Sequence, residues 1–384
     1  MRIGTIAESP LEWLALAAGR IPTPLVDTHL AFAWARTLMV ATRLGVFEAL
    51  TPGPGDATAV AASCGTAPEP THRLLDALTG MGYLVPSGDR DYALSRSSRR
   101  WLSRASPDEV VDKVLFSFDE WRFVEHYERF VSTGEALGMH DRLAGPDVVD
   151  GADRPAADRP GSDRPGSDRP GAVTEAGAGG WERYQRGLHA LSKVSAAEVG
   201  RRTPVPRGAT VLLDIGGAHG RFAAALLRRH PALRATVLDL PDAVSASAPL
   251  LSAHGLGDRL RHQRGDVFET DLGDGVWDVV FVSQLTHHLT DAANRDLASR
   301  ITRALRPGGV YVIQDLVRPA TPREARRARL GALLDLYFAA TSGAGTVTLG
   351  TLRAWQADAG LLPRRPVWMR TLPGMVQQVG VRPT

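Results

Sequence analysis

Two short stretches hold the residues best suited to chemistry. They are Val211-Leu-Leu-Asp-Ile-Gly-Gly-Ala-His-Gly220 and Thr236-Val-Leu-Asp-Leu-Pro-Asp-Ala-Val244. The first reads as a strand that enters a glycine-rich turn and opens a helix. The second reads as the next parallel strand, ending in Asp239. An acidic residue about 20 positions beyond such a turn marks a nucleoside site on a doubly wound sheet. Glycine lets the backbone approach the ligand, and a carboxylate accepts from both ribose hydroxyls. The spacing disfavours a dinucleotide: a G-x-G-x-x-G pattern ending at Gly220 needs glycine at 215 and 217, and position 215 is Ile. What stands there is Asp214-x-Gly216-x-Ala218-x-Gly220. A ligand without a pyrophosphate needs no phosphate cradle.

The adjacent pair His287-His288 raises the question of a metal. Neighbours on an extended strand point to opposite sides, and no histidine follows position 288. A metal triad would then need Asp315 or a distant ligand, so no metal is expected.

These residues need a frame, and the sequence supplies one from Thr210 onward. Candidate strands Val211–Ile215, Arg234–Leu240, Leu260–Val267, Trp277–Gln284 and Gly309–Leu316 alternate with candidate helices Arg221–Arg229, Val244–His254 and Ala292–Arg306. Such alternation argues for an α/β fold, a parallel sheet with helices on both faces. Thr321-Pro-Arg-Glu324 has the composition of a capping box opening a helix to about Phe338. A helix over Thr348–Ala359 and two closing strands, about Arg365–Leu372 and Met375–Val381, complete this half. A long helix from Gly180 to about Arg201 precedes it.

The N-terminal part is built differently. Ala31–Ala49 is apolar nearly all round, which predicts a helix buried on most sides, including by another subunit. Asp56–Cys64 and Glu69–Met81 read as two short helices. Tyr83-Leu-Val-Pro and Asp91-Tyr-Ala-Leu flank a Gly88-Asp89 turn as a hairpin. Helix–turn–helix plus hairpin is a winged-helix pattern. Val110–Phe130 reads as a further, aromatic-rich helix. Between the halves Asp-Arg-Pro recurs at 153–155, 158–160, 163–165 and 168–170. Proline every fifth residue excludes a regular helix or inner strand, so a disordered, charge-balanced insert is expected.

The bulk composition narrows the class. The chain has 384 residues, enough for two domains, with 43% hydrophobic and 23% charged residues. A net charge of +3 gives no general argument for nucleic acid. Lys113 and Lys193 are the only lysines, and none follows the glycine loop, which argues against P-loop and Schiff-base chemistry. Cys64 is the one cysteine, so a reducing compartment fits. No run approaches the ~20 apolar residues that span a bilayer, and the N-terminal apolar run is short for a signal peptide. A cytoplasmic protein with no membrane partner is the expectation.

The motifs together resemble bacterial small-molecule O-methyltransferases, the group that includes hydroxyneurosporene, acetylserotonin and caffeate-type enzymes. The resemblance is carried by Leu213-Asp-Ile-Gly-Gly-Ala-His-Gly220, Asp239-Leu-Pro-Asp-Ala-Val244, Gly265-Asp-Val-Phe268, His287-His-Leu-Thr-Asp291 and Leu305-Arg-Pro-Gly-Gly309. It covers nearly the whole chain apart from the Asp-Arg-Pro insert. It implies a Rossmann-like doubly wound catalytic domain with an N-terminal helical winged-helix domain that forms a homodimer. The boundaries it suggests are 1–108 for the dimerisation domain, 109–149 for connecting helices lining an acceptor pocket, 150–179 for the insert and 180–384 for the catalytic domain.

The resemblance also implies S-adenosyl-L-methionine as methyl donor and a small-molecule acceptor. Asp214, Gly216, Gly217 and Gly220 would line the donor, Asp239 and Leu240 its ribose, Asp266 and Val267 its adenine, with Ser283 as a further contact. His287 matches the family's general base and Asp315 its acidic partner. Phe118, Trp121, Leu188, His189, Ser192, His288, Leu334, Tyr337 and Phe338 are the candidates for the acceptor pocket. Two positions depart from the family: His288 replaces an Asp, and the loop Thr341-Ser-Gly-Ala-Gly-Thr-Val-Thr348 lacks the second acidic partner.

Other readings compete. One keeps the fold and donor but methylates carbon or nitrogen, or does not methylate. Another is a winged-helix DNA-binding regulator, opposed by Glu69–Met81, where His72 and Arg73 are the only basic groups. A nicotinamide oxidoreductase is disfavoured by Ile215.

Overall fold

Apolar residues alternate between two faces along each central strand, and that alternation produces two cores. The computed structural model describes residues 6–7, 9–144 and 179–384. The expected Asp-Arg-Pro insert therefore lies outside the described residues. The strands, numbered along the chain, are β1 (Leu84–Ser87), β2 (Asp91–Leu94), β3 (Val211–Ile215), β4 (Arg234–Asp239), β5 (Leu260–Arg264), β6 (Trp277–Ser283), β7 (Leu305–Leu316), β8 (Leu362–Pro363), β9 (Val367–Trp368) and β10 (Met375–Val381). Leu212, Val279, Phe281 and Val312 enter one core. Their neighbours Leu213, Val280, Val282 and Ile313 enter the other. A period of two places successive side chains on opposite faces, so a strand covered on both sides is apolar throughout.

The described residues divide into two compact units, one up to Phe118 and the other from Asp119 onward. In the first unit the helices Ala57–Cys64 and Pro68–Gly80 precede the β1–β2 hairpin. Leu75, Leu78, Phe47, Leu84 and Leu94 form its core. The predicted single helix over Ala31–Ala49 is two: Ala31–Arg43 and Val46–Ala49. Gly45, at φ +81°, breaks it, because that backbone conformation suits glycine and not a helix. The expected burial of this segment holds only in part, since Phe32 is 52% and Trp34 50% exposed.

In the second unit the sheet order is β5-β4-β3-β6-β7-β10-β8, with β9 also paired to β10. The strands β5, β4, β3, β6 and β7 are parallel, and β10 runs antiparallel to β7. The chain leaves β3 toward β4 and β5, then returns to place β6 on the other side of β3. That reversal opens a crevice at the carboxyl ends of β3 and β6. The segment read as one helix after Thr321 is also two, Pro322–Arg327 and Arg329–Ser342, interrupted at Ala328. The aromatic-rich helix likewise stops at Val124, and a new one spans Tyr127–Thr133.

Candidate active site

The carboxyl end of β3 delivers the chain into the glycine-rich loop. Gly216 turns at φ +70° and its N–H donates to Leu238 O of β4 at 2.8 Å. Gly217 packs against the Asp214 carboxyl group: a Cβ there would stand 2.3 Å from Oδ2. The loop thus wraps Asp214 too closely for any side chain. Ala218 has φ +33°, and its N–H donates to Asp239 Oδ2 at 2.9 Å. Gly220, at φ +67°, opens the helix Arg221–Arg229. The Leu240 N–H donates to Asp239 Oδ1 at 2.8 Å. Each carboxylate oxygen of Asp239 thereby accepts one backbone bond and keeps a lone pair for a ligand hydroxyl.

Asp214 is 1% exposed, and its Oδ1 has no hydrogen-bond partner. Burial, reinforced by the charge of Asp239, pushes Asp214 up to about 8. Burial likewise pushes Asp239 up to about 6, against the two backbone bonds. An unpartnered buried carboxylate oxygen beside a second carboxylate is a site that a cationic or hydroxylated ligand would satisfy. The Gly265 N–H donates to Asp239 O at 3.0 Å, which sets the next loop against this one. There Asp266 Oδ1 accepts from Phe268 N at 2.8 Å, and Val267 packs against the sheet core. Ser283, at the end of β6, is buried and accepts from Gln314 Nε2 at 2.9 Å. Gln377 Nε2 in turn donates to Gln314 Oε1 and to Thr203 Oγ1, both at 2.8 Å.

Beyond Ser283 the backbone is strained. Gln284 takes φ +55°, an uncommon value for a residue with a side chain. A short 3₁₀ turn, Thr286–His288, follows. The two histidines therefore do not sit on a strand pointing apart; their ring centroids are 4.2 Å from each other. Helix capping falls to Thr290, whose hydroxyl accepts from Ala293 N at 3.2 Å. His287 Nδ1 lies 2.7 Å from Asp315 Oδ1. Asp315 also accepts from Thr286 Oγ1 at 2.6 Å and from the Leu316 N–H at 2.8 Å. With Nδ1 donating to the carboxylate, Nε2 carries the lone pair. The Phe338 ring stacks on His287 at 3.7 Å between centroids.

His288 Nδ1 pairs with Ser342 Oγ at 2.6 Å, and its ring lies 4.7 Å from that of His140. His140 stacks on Trp181 at 5.7 Å and meets Tyr184 edge-on at 6.0 Å. Tyr337 donates to Glu120 Oε1 at 3.3 Å and meets Phe338 edge-on. The second unit so gathers His288, Tyr337 and Phe338 around His287. His140, Trp181, Tyr184, Glu120 and Ser342 join them, although no motif in the sequence marks these five. Their signal is weak: Trp181 and Tyr184 stand three apart on one helix face, a spacing equally suited to plain core.

The remaining acceptor candidates make other contacts. Phe118 belongs to the first unit, under the Arg43 guanidinium at 3.1 Å from the ring centre. Trp121 is half-buried on the helix Val111–Val124. Leu188 is half-buried on the helix Gly180–Arg202, and Ser192 on the same helix donates to His189 O at 2.7 Å. His189 faces the glycine loop instead of His287: its ring lies 5.4 Å from His219, and its Nε2 accepts from Arg221 at 2.5 Å. Burial and Arg221 push His189 down to about 3. Leu334 packs against the core under the sheet. The loop after Ser342 places no acid beside His287; Thr346 there donates to Asp335 at 2.9 Å. Among the described residues no cluster of three His, Cys, Asp or Glu could hold a metal, and no helix is long and apolar enough to cross a membrane.

Known proteins share both sequence and architecture with this chain. Residues 175–348 match an O-methyltransferase domain, and residues 26–104 match an O-methyltransferase dimerisation domain. The chain is 30% identical over 322 residues to the mitomycin biosynthesis 6-O-methyltransferase of Streptomyces lavendulae, covering 82% of this chain and 84% of that one. It is 27% identical over 352 residues to the tetracenomycin polyketide synthesis 8-O-methyltransferase of Streptomyces glaucescens, covering 89% and 91%. Human N-acetylserotonin methyltransferase, solved with S-adenosylmethionine, superposes with a TM-score of 0.76 at 20% identity over 99% of this chain and 100% of that one.

Proposed function

This chain belongs to the O-methyltransferase family, and from that premise we propose that it methylates a hydroxyl of a small natural-product acceptor, with His287 as general base and Asp315 as the group that orients it. The observation that carries this reading is the buried His287–Asp315 pair, set at the ends of β6 and β7, with β6 beside the strand that leads into the glycine loop. Relatives named for mitomycin and tetracenomycin biosynthesis favour a secondary-metabolite acceptor.

Enzymes of this family take the methyl group from S-adenosyl-L-methionine, which brings an activated sulfonium methyl when bound. The residues present suit that molecule. Asp214 has an unpartnered buried oxygen to offer an ammonium or a bound water. Gly216, Gly217 and Gly220 allow the tight loop that would line the donor, since a Cβ at each would press on Leu285, Asp214 and Leu251. Asp239 has one acceptor position free on each oxygen for the ribose hydroxyls, beside Leu240. Asp266 and Val267, in the loop tied to Asp239 through Gly265, would flank the adenine, and Ser283 offers a hydroxyl fixed by Gln314.

The chemistry left to the protein is alignment and proton removal. Asp315 holds the Nδ1–H of His287, so Nε2 is left as the acceptor. Nε2 would take the acceptor's hydroxyl proton, and the imidazolium that results would be paired with the Asp315 carboxylate. His288, Tyr337, Phe338, Trp181 and Tyr184 provide aromatic surface around that base, suited to a planar acceptor.

The dimerisation-domain match and the exposed Phe32 and Trp34 support a homodimer. The single cysteine, Cys64, suits a cytoplasmic setting. The test is a screen of hydroxylated aromatic acceptors with trideuteromethyl donor, read by mass spectrometry, with His287→Ala alongside. Label on oxygen in the wild type and its loss in the variant fit the reading. Label on carbon or nitrogen, or equal turnover by the variant, contradicts it.

A further inference from the structure

Three histidines, His189, His254 and His262, surround the glycine-rich loop, which carries a fourth, His219, and two of the three hold it by its carbonyl groups. His262 Nε2 lies 2.6 Å from Ala218 O, and His254 Nε2 lies 2.9 Å from His219 O. A carbonyl only accepts, so both imidazoles carry a proton on Nε2 and donate it. The two donors arise in different places. His262 sits in the middle of β5, opposite Val237 of β4. His254 sits in the turn after the helix Pro241–Ser252. Together they fix two consecutive peptide units that belong to no strand or helix.

These units carry the strain of the loop. Ala218 and Gln284 are the positive-φ residues other than glycine among those described. Such a conformation costs about 1 kcal/mol or more and persists only where the surroundings hold it. The interactions around Ala218 form a short chain. His262 holds its carbonyl, and its N–H reaches Asp239 Oδ2. On the far side His219 Nδ1 accepts the Arg221 N–H at 3.2 Å, which ties the next residue to the helix start. Without donors for the two carbonyls, Ala218 would relax toward negative φ and its N–H would leave Asp239.

We propose that His262 and His254 are positioning residues for the methyl-donor site. By holding the carbonyls of Ala218 and His219 they keep the loop wound so that Ala218 N–H aims at Asp239, the carboxylate assigned to the donor ribose. The inference rests on the donor reading given above. Neither histidine takes part in proton transfer, which lies with His287 after another strand. Their removal therefore weakens donor binding and leaves the chemical step alone.

The test is calorimetric titration of S-adenosylhomocysteine into the full chain as wild type, His262→Leu, His262→Gln, His254→Leu and His254→Gln, with thermal melts in parallel. Each Leu variant is expected to weaken binding about 3- to 10-fold, the size of one lost hydrogen bond. Each Gln variant is expected to recover most of it, because its amide can donate to the same carbonyl. With a working acceptor, the Leu variants raise the donor KM and leave kcat at saturating donor unchanged. Wild-type affinity in both Leu variants overturns the proposal. Gln variants as weak as the Leu variants also overturn it, because the role would then be packing. If His262→Leu does not fold, the His254 pair decides. Failure of the wild type to bind removes the donor reading and the proposal together, a result distinct from the other two.

Discussion

His287 Nδ1 lies 2.7 Å from Asp315 Oδ1, and each side chain is only 2% exposed. The two come from adjacent strand ends, the turn after β6 and the last residues of β7. Asp315 is fixed twice more, by Thr286 Oγ1 and by the Leu316 N–H. A carboxylate held by three donors cannot rotate away, so the imidazole it grips has one orientation and one tautomer. This geometry suits the roles proposed for the pair, a base and its orienting partner.

Replacing His287 by Ala should lower kcat by about 10²- to 10⁴-fold, the usual range for a lost general base. Asp315→Asn should act in the same direction, because an amide can donate to Nδ1 and so favour the wrong tautomer. Neither should change the affinity for S-adenosylhomocysteine. Initial rates and calorimetry on the same preparations check both halves.

Gly217→Ala places a Cβ 2.3 Å from Asp214 Oδ2. Either the loop or the carboxyl group must move. Overpacking of this kind costs about 1–3 kcal/mol, so donor affinity should fall about tenfold or more. A variant that binds as tightly as wild type would show that the loop does not form the donor site.

Donor binding should depend on pH with a definite sign. Burial raises Asp214 to about 8 and Asp239 to about 6 in the free protein. A bound ammonium and ribose hydroxyls favour the ionised carboxylates, so the complex holds fewer protons than the free protein. By linkage, affinity rises as pH increases from about 5.5 to 7.5, below the titration of the donor's own ammonium near 7.7–8.0. The same raised values mean that, without ligand, these two groups cost the fold stability as pH climbs from about 4 through 6 and 8. Calorimetry in buffers of different ionisation enthalpy should show proton release on binding; proton uptake would contradict the account.

Phe32 and Trp34 are half exposed on the helix Ala31–Arg43, within the segment matching the dimerisation domain. Phe32→Glu with Trp34→Glu should shift sedimentation from dimer to monomer without lowering the melting temperature of the catalytic unit. A wild-type chain that sediments as a monomer would contradict the homodimer.

The sheet was legible in the sequence for a plain reason. The strands Val211–Ile215 and Trp277–Ser283 are mainly apolar, interrupted by Asp214 and Asp278, because both faces are covered, and glycine or polar residues end them. Breaks inside helices were not legible. Ala328 interrupts two helices, yet alanine is the best helix former, so the break comes from tertiary context. The 3₁₀ turn at Thr286–His288 reversed the expectation that adjacent histidines point apart. Buried glutamines were invisible too: Gln314, Gln356, Gln377 and Gln378 lie inside the sheet region, bonded to each other and to backbone. Within the site, the glycine loop and Asp239 could be named from spacing, and His287 and Asp315 from the family resemblance. The aromatic neighbours His140, Trp181 and Tyr184 could not, nor could the contact of His262 with Ala218, 44 residues away. Those contacts depend on how distant elements pack, which no local pattern encodes.

The most direct measurement of the central claim is calorimetric titration of S-adenosylhomocysteine into wild type and Asp239→Ala. The account predicts a single saturable site in the wild type and a loss of roughly 100-fold or more in the variant, the scale of two hydrogen bonds to a charged group. No binding by the wild type, or equal affinity in Asp239→Ala, would contradict it.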